Sequence, residues 1–226
     1  MEQRTRNTTV CQLQFPNLRL PAREAGKLRG YFGTCFREHS PLLHNHYAEG
    51  GLRYGYPLVQ YKMIAQVPTL IGLDEGAELL RSLFLQVKEL HIGEQQLPVA
   101  SRDLDFHSMP LGTDTQGLHT YHFASPWLGL NAANYARYQQ ASPPAQQHLL
   151  QQVLVGNILS CYKGLGLRLR PEDRILLTAQ LQPQRIMFKN QSMLAFKGSF
   201  TTNALLPAHI GLGKAVSRGY GTVLRG

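Results

Sequence analysis

The chain has 226 residues, 43% of them hydrophobic, and carries 23 Lys and Arg against 14 Asp and Glu, a formal net charge of +9. That length can bury a substantial core and holds two small domains or one large one. The opening MEQRTRNTTV is polar and no later stretch approaches the roughly 18 to 20 apolar residues that span a bilayer, so secretion and membrane insertion are not indicated. Cys11, Cys35 and Cys161 are odd in number and far apart, which fits a reducing compartment better than a disulfide framework, and the expected location is the cytoplasm. The charge is also unevenly placed: residues 1–162 hold 13 basic and 12 acidic side chains, residues 163–226 hold 10 and 2. A polyanion is the natural partner of such a segment, because each neutralised phosphate releases counterions; the plainer alternative is a solvated basic surface.

Along the chain, Cys11, Leu13 and Phe15 alternate as in a strand, and Ala25, Leu28, Phe32 and Phe36 then recur at helical spacing after Pro21. Two strands, PLVQYKMIAQ and VPTLIGL, meet near Val67 and Pro68. Asp74 stands where a helix cap belongs, ahead of Leu79, Leu80, Leu83 and Phe84, and an apolar strand follows around Val87 to Ile92. The order β-α-β-β-α-β packs two helices on one face of an antiparallel sheet. Residues 96–118, with Leu104 and Phe106 as the only strand signal, are expected to connect an N-terminal domain, 1–95, to a second domain, 119–226. In the second half LHTYHFASPW begins as a strand, and Ser142-Pro143 signals the start of a helix with Leu150, Val153, Leu154, Ile158 and Cys161 on one face and Gly164 as its stop. RILLTAQLQ, RIMFKN and SMLAFKGSFTTNALL read as strands before a glycine loop and a final GYGTVLRG. This order allows a second, degenerate βαββαβ unit, and a single larger α+β domain remains open.

The most specific local pattern is Gly211-Leu-Gly213-Lys214-Ala-Val-Ser217-Arg218-Gly219-Tyr220-Gly221. Glycines admit backbone N–H groups close to phosphate oxygens, and Lys214 and Arg218 can add charge-assisted contacts. It is not a Walker loop, since Ala follows Lys214, and too few residues follow Gly221 for the helix and strand of a dinucleotide fingerprint. Taken alone, the segment also fits a turn-forming stretch before a last strand.

GLGKAVSRGYGTV closely resembles the C-terminal glycine-rich loop of the CRISPR-associated RAMP proteins, and LRGYFGTCFREHSPLLHNHYAEGGLRYGYPLVQYKMI, with IGLDEG and SPWLGLNAANYARY, resembles a repeat-processing endoribonuclease branch of that superfamily. The resemblance implies two tandem ferredoxin-like domains, and a loop in which Gly211, Gly213, Lys214, Ser217, Arg218, Gly219 and Gly221 hold RNA. It implies cleavage of CRISPR repeat transcripts to guide RNA, with no cofactor, by attack of a 2′-hydroxyl on the adjacent phosphate. That chemistry needs a base, an acid for the leaving 5′ oxygen, and positive charge near the phosphorane. His44 and His46 match the catalytic positions, and histidine suits either proton role because its pKa lies near neutrality. Tyr47, Tyr54 and Lys62 are the supporting donors or phosphate ligands, with Arg53 on the RNA. Two alternatives stay open for His44-Asn45-His46: a metal half-site completed by His39, His119 or His122, or an ordinary exposed loop. Tyr56 and Tyr61 are expected to pack rather than stack on bases. The superfamily also contains noncatalytic guide-RNA-binding subunits, and the resemblance allows a homodimer and association with CRISPR effector proteins.

Overall fold

The computed structural model describes residues 2–36, 42 and 55–226. The chain divides into two units: an N-terminal one of residues 7–109 with 217–219, and a C-terminal one of residues 1–6, 110–216 and 220–226.

The N-terminal unit follows from alternating strands around an apolar helix face. Strand β1 (Thr5–Gln14) buries Cys11 and Leu13, helix α1 (Ala25–Cys35) buries Ala25, Leu28 and Phe32, and strands β2 (Val59–Ile64) and β3 (Val67–Leu73) form a hairpin. Ala65 and Gln66, both at positive φ, make its two-residue turn. Glycines at 26, 30 and 33 make α1 a poor autonomous helix, so packing holds it: Phe32 lies 6.4 Å from Phe15, 5.5 Å from Phe36 and 5.8 Å from Tyr61, centroid to centroid. Each such fully buried side chain contributes about 1.5–3 kcal/mol.

Helix α2 (Glu75–Leu83) follows Asp74, but the Asp74 carboxylate does not cap it. Its Oδ1 accepts from Thr8 Oγ1 at 2.9 Å and Thr9 N at 3.0 Å, tying the helix start to β1. The strand expected near Val87–Ile92 forms as β4 (Glu89–Ile92), yet it pairs with β5 (Gln95–Pro98) in a separate hairpin. The sheet is closed instead by β6 (Asp103–Thr113), giving the order β6-β1-β3-β2, which is the ferredoxin-like order with a hairpin inserted before its last strand.

The C-terminal unit repeats that order. Strand β7 (His119–Phe123) is followed by α3 (Ala132–Gln140) and the 22-residue α4 (Pro143–Gly164), then β8 (Leu177–Phe188), β9 (Gln191–Thr202), the two-residue β10 (Ala204–Leu205) and β11 (Val223–Arg225). The sheet runs β11-β7-β9-β8. The two strands expected from RILLTAQLQ and RIMFKN are one, running straight through Pro183; β8 is the edge strand, where a missing N–H costs no ladder bond. Its twelve-pair register with β9 ends at Phe188↔Gln191 around Lys189 and Asn190, at φ 49° and 61°. Trp127, Tyr121, Phe196, Phe200, Leu154, Ile158 and Tyr162 form the core. No second helix stands between β9 and β11; the glycine segment takes its place, with a single 3-10 turn at Val216–Arg218. Among the described residues no helix is long and apolar enough to cross a membrane.

Candidate nucleic-acid interface

The glycine segment is a closed loop. Gly211 bridges Thr222, Leu212 N donates to Gly221 O at 2.9 Å, and Val223 N donates to Ile210 O at 2.9 Å, so the loop's two ends run as a short antiparallel ladder. Lys214 N and Gly221 N donate to Leu128 O and Pro126 O, both at 2.9 Å, which anchors the loop on the turn after β7. Gly221 is required: its φ is 62° and an added Cβ would lie 2.0 Å from Leu212 O. Gly211 and Gly221 are buried, so they shape the loop's base, whereas Lys214 is exposed and Gly213, Ser217, Arg218 and Gly219 are partly so. The loop thus presents the exposed Lys214, the Ser217 hydroxyl and Arg218 around backbone held in left-handed turns.

Residues 217–219 belong with the N-terminal unit. Gly219, at φ 86°, sits so close to Ala25 and the Tyr61 carbonyl that an added Cβ would lie 3.2 Å from each. One helical turn on from Ala25, Arg29 is half-buried on α1, and burial followed by the nearby Arg218 pulls its guanidinium below the usual arginine range. Two guanidinium groups from opposite ends of the sequence therefore share one field, which an anion such as a phosphate relieves. Arg29 was not singled out from the sequence, because only the placement of Arg218 gives it meaning.

Lys62 lies on β2 and is 1% exposed; burial pulls its ammonium down to about 7. Tyr61, fully buried against Phe32, is a packing residue, and burial raises its hydroxyl well above the usual tyrosine range. Tyr56 is half-buried. His39, His44, His46, Tyr47, Arg53 and Tyr54 lie outside the described residues.

Of the histidines weighed as metal ligands, His119 is engaged otherwise. Arg225 Nη2 donates to its Nδ1 at 2.7 Å, and because arginine cannot accept, the ring proton sits on Nε2 and is donated to Asp114 Oδ2 at 3.0 Å. Among the described residues no three His, Cys, Asp or Glu side chains converge on a point where a metal would bind. Cys11 and Cys161 are buried and Cys35 exposed, none of them in a disulfide, and burial pushes the Cys11 thiol up to about 12.

Two family models match this chain, the Cas6b N-terminal domain over residues 7–109 and the Cas6b C-terminal domain over residues 113–225. A solved structure described as the crystal structure of Cas6b is 33% identical, covers 98% of this chain and 100% of its own, and superposes with a TM-score of 0.91. A second, described as the CRISPR RNA processing endoribonuclease Cas6b, is 30% identical over the same shares with a TM-score of 0.78. An uncharacterized protein of Methanocaldococcus jannaschii, MJ0978, is 29% identical over 143 residues, 63% of this chain and 96% of that protein.

Proposed function

The chain belongs to the Cas6b family, and from that premise we propose that it is a metal-independent endoribonuclease that cuts CRISPR repeat transcripts into guide RNA. The observation that carries this reading is the likeness, along 98% of the chain at 30% identity, to a protein described as a CRISPR RNA processing endoribonuclease. The basic loop with its exposed Lys214 and the Arg29–Arg218 pair support it, since they supply the positive field that an RNA backbone needs.

In the proposed reaction one imidazole of His44 or His46 takes the proton of a 2′-hydroxyl, whose oxygen bonds to the adjacent phosphorus. The P–O5′ bond breaks, and the departing 5′ oxygen takes a proton from the other imidazole. The products are a 2′,3′-cyclic phosphate and a 5′-hydroxyl, and no water is consumed. Tyr47 and Tyr54 donate to the phosphate or the leaving oxygen, Arg53 and the loop hold the RNA, and Lys62, buried on β2, does not touch the phosphate; general acid–base catalysis of this kind contributes about 10²–10⁴-fold for each well-placed group.

The test is incubation of the purified protein with end-labelled repeat RNA from its own genome in excess EDTA, beside the His44→Ala/His46→Ala double variant. One discrete cut with a cyclic-phosphate end, lost in the variant, is the expected result. Cutting that stops in EDTA would overturn metal independence, and tight binding with no cut would make the chain a noncatalytic guide-RNA subunit. A homodimer, expected of this branch, is checked by light scattering of the same preparation.

A further inference from the structure

On the helical side of the C-terminal unit, α3 and α4 line a shallow, open groove of about 330 Å³ that includes no residue of the glycine loop. Its polar walls are almost entirely carboxamides. Asn131 Oδ1 accepts from Asn134 N at 2.8 Å, which leaves its NH2 group, and Asn157 Oδ1 accepts from the buried Trp127 Nε1 at 3.0 Å. The indole fixes which way the Asn157 amide is turned and leaves both of its N–H bonds for something else. Gln152 spends its Nε2 on His148 at 2.9 Å and keeps its Oε1. Among the described residues, the Asn134 carboxamide and the Arg137 guanidinium have no partner at all. From Thr115 to Pro171 the sequence contains no Asp or Glu, so nothing on this stretch repels an anion.

Gly156 adds an independent observation. It stands in the middle of α4 and lines the groove, and an added Cβ would meet nothing within 4 Å. A glycine inside a helix lowers stability relative to alanine, and here no neighbour in the chain requires it. The bare backbone there leaves room for a ligand to approach the helix closely.

We propose that this groove binds one unpaired nucleotide of an RNA strand, the carboxamides of Asn134, Gln152 and Asn157 reading the base edge and Arg137 holding its phosphate. Carboxamides carry a donor and an acceptor side by side, which is the pattern that base edges present, and the absence of carboxylates together with a lone arginine suits a phosphodiester. The proposal rests on the repeat-RNA reading above and adds to it a contact away from the glycine loop, one that selects for sequence rather than for charge.

The experiment measures binding of a fluorescein-labelled, fully 2′-O-methyl repeat oligonucleotide, which cannot be cut, together with the melting temperature of each variant. Gly156→Ala is expected to raise the melting temperature while weakening binding at least about fivefold, a combination that a merely structural glycine does not give. Asn134→Ala/Gln152→Ala is expected to weaken binding of the repeat more than that of a scrambled sequence, and Arg137→Ala to lower the slope of log Kd on log salt by about 0.7. Wild-type affinity in Gly156→Ala and in Asn134→Ala/Gln152→Ala, or a lower melting temperature for Gly156→Ala, overturns the proposal. Cleavage of unmodified repeat RNA by the wild-type protein separates the two readings: if it cuts and the variants bind normally, only the groove falls, and if it neither cuts nor binds, both fall.

Discussion

The Lys62 ammonium sits where water does not reach, between buried neighbours on a strand whose residues from Val59 to Lys62 are all buried. Tyr61 and Lys62 are neighbours on the strand and point to opposite faces, yet both are buried, so β2 is covered on both faces there. Burial lowers the folded-state pKa to about 7 from an ordinary 10.5. The stability cost is therefore absent above about pH 10.5, grows as pH falls through the window, and is complete below about 7. Lys62→Met is expected to raise the melting temperature most at pH 6–7, with the gain vanishing as the pH approaches 10.5; thermal melts across that range check it. Gly221→Ala tests the loop itself. The left-handed conformation and the overlap with Leu212 O should cost at least about 2 kcal/mol in chemical denaturation. GLGKAVSRGYGTV is legible as a glycine motif from sequence, but which glycines face solvent and which close the loop depends on partners as distant as Pro126 and Leu128, and no local pattern reports that.

Elements that bury several apolar side chains are the ones the sequence announces: β1, α1, the β2–β3 hairpin, α2 and α4. The rest fails for separate physical reasons. Helix α3 buries no residue, so no core-facing apolar stripe marks it, and its clearest local signal is the Asn131 cap. β6 keeps most of Asp103–Met109 exposed and reads as a connector, although it closes the sheet. β8 is split on paper by Pro183, whose tolerance follows from edge position, and edge position is a tertiary fact. Asp74 shows the same limit. Its placement before α2 is legible, but its bonds to Thr8 and Thr9 on β1 are not. Asp74→Ala is expected to destabilise the protein by about 1–3 kcal/mol, because it strips a buried hydroxyl and a backbone N–H of their acceptor, whereas loss of a helix cap alone would cost about 1. Urea denaturation of this variant beside Thr8→Val separates the two bonds.

Ten of the 23 basic side chains fall within residues 163–226, and only two acidic ones accompany them. Repeat-RNA affinity should accordingly drop steeply with salt, log Kd rising with log salt by about 0.7 for each phosphate neutralised on a single strand; titrations between 50 and 200 mM salt read the slope, and a flat line would remove the electrostatic basis of binding. Lys214→Ala should flatten it by about one phosphate.

The C-terminal unit also draws on residues far apart in the chain. Gln3 N donates to Arg168 O at 3.0 Å, Arg4 Nε lies 2.8 Å from Asp173 Oδ1, and β11 pairs with β7 across a hundred residues. On the ribosome, residues 1–6 must therefore wait for partners synthesised some 165 residues later, and β7 stays without its outer neighbour until residue 225 has left the exit tunnel. By contrast, β1, β3 and α2 are available early, so birth order favours assembly of the sheet and helices of the N-terminal unit before the C-terminal sheet closes. A nascent chain stalled after residue 205 carries β7, β8 and β9 but neither the glycine segment nor β11. It should remain open to protease within that unit, while the chain carried through residue 226 should not.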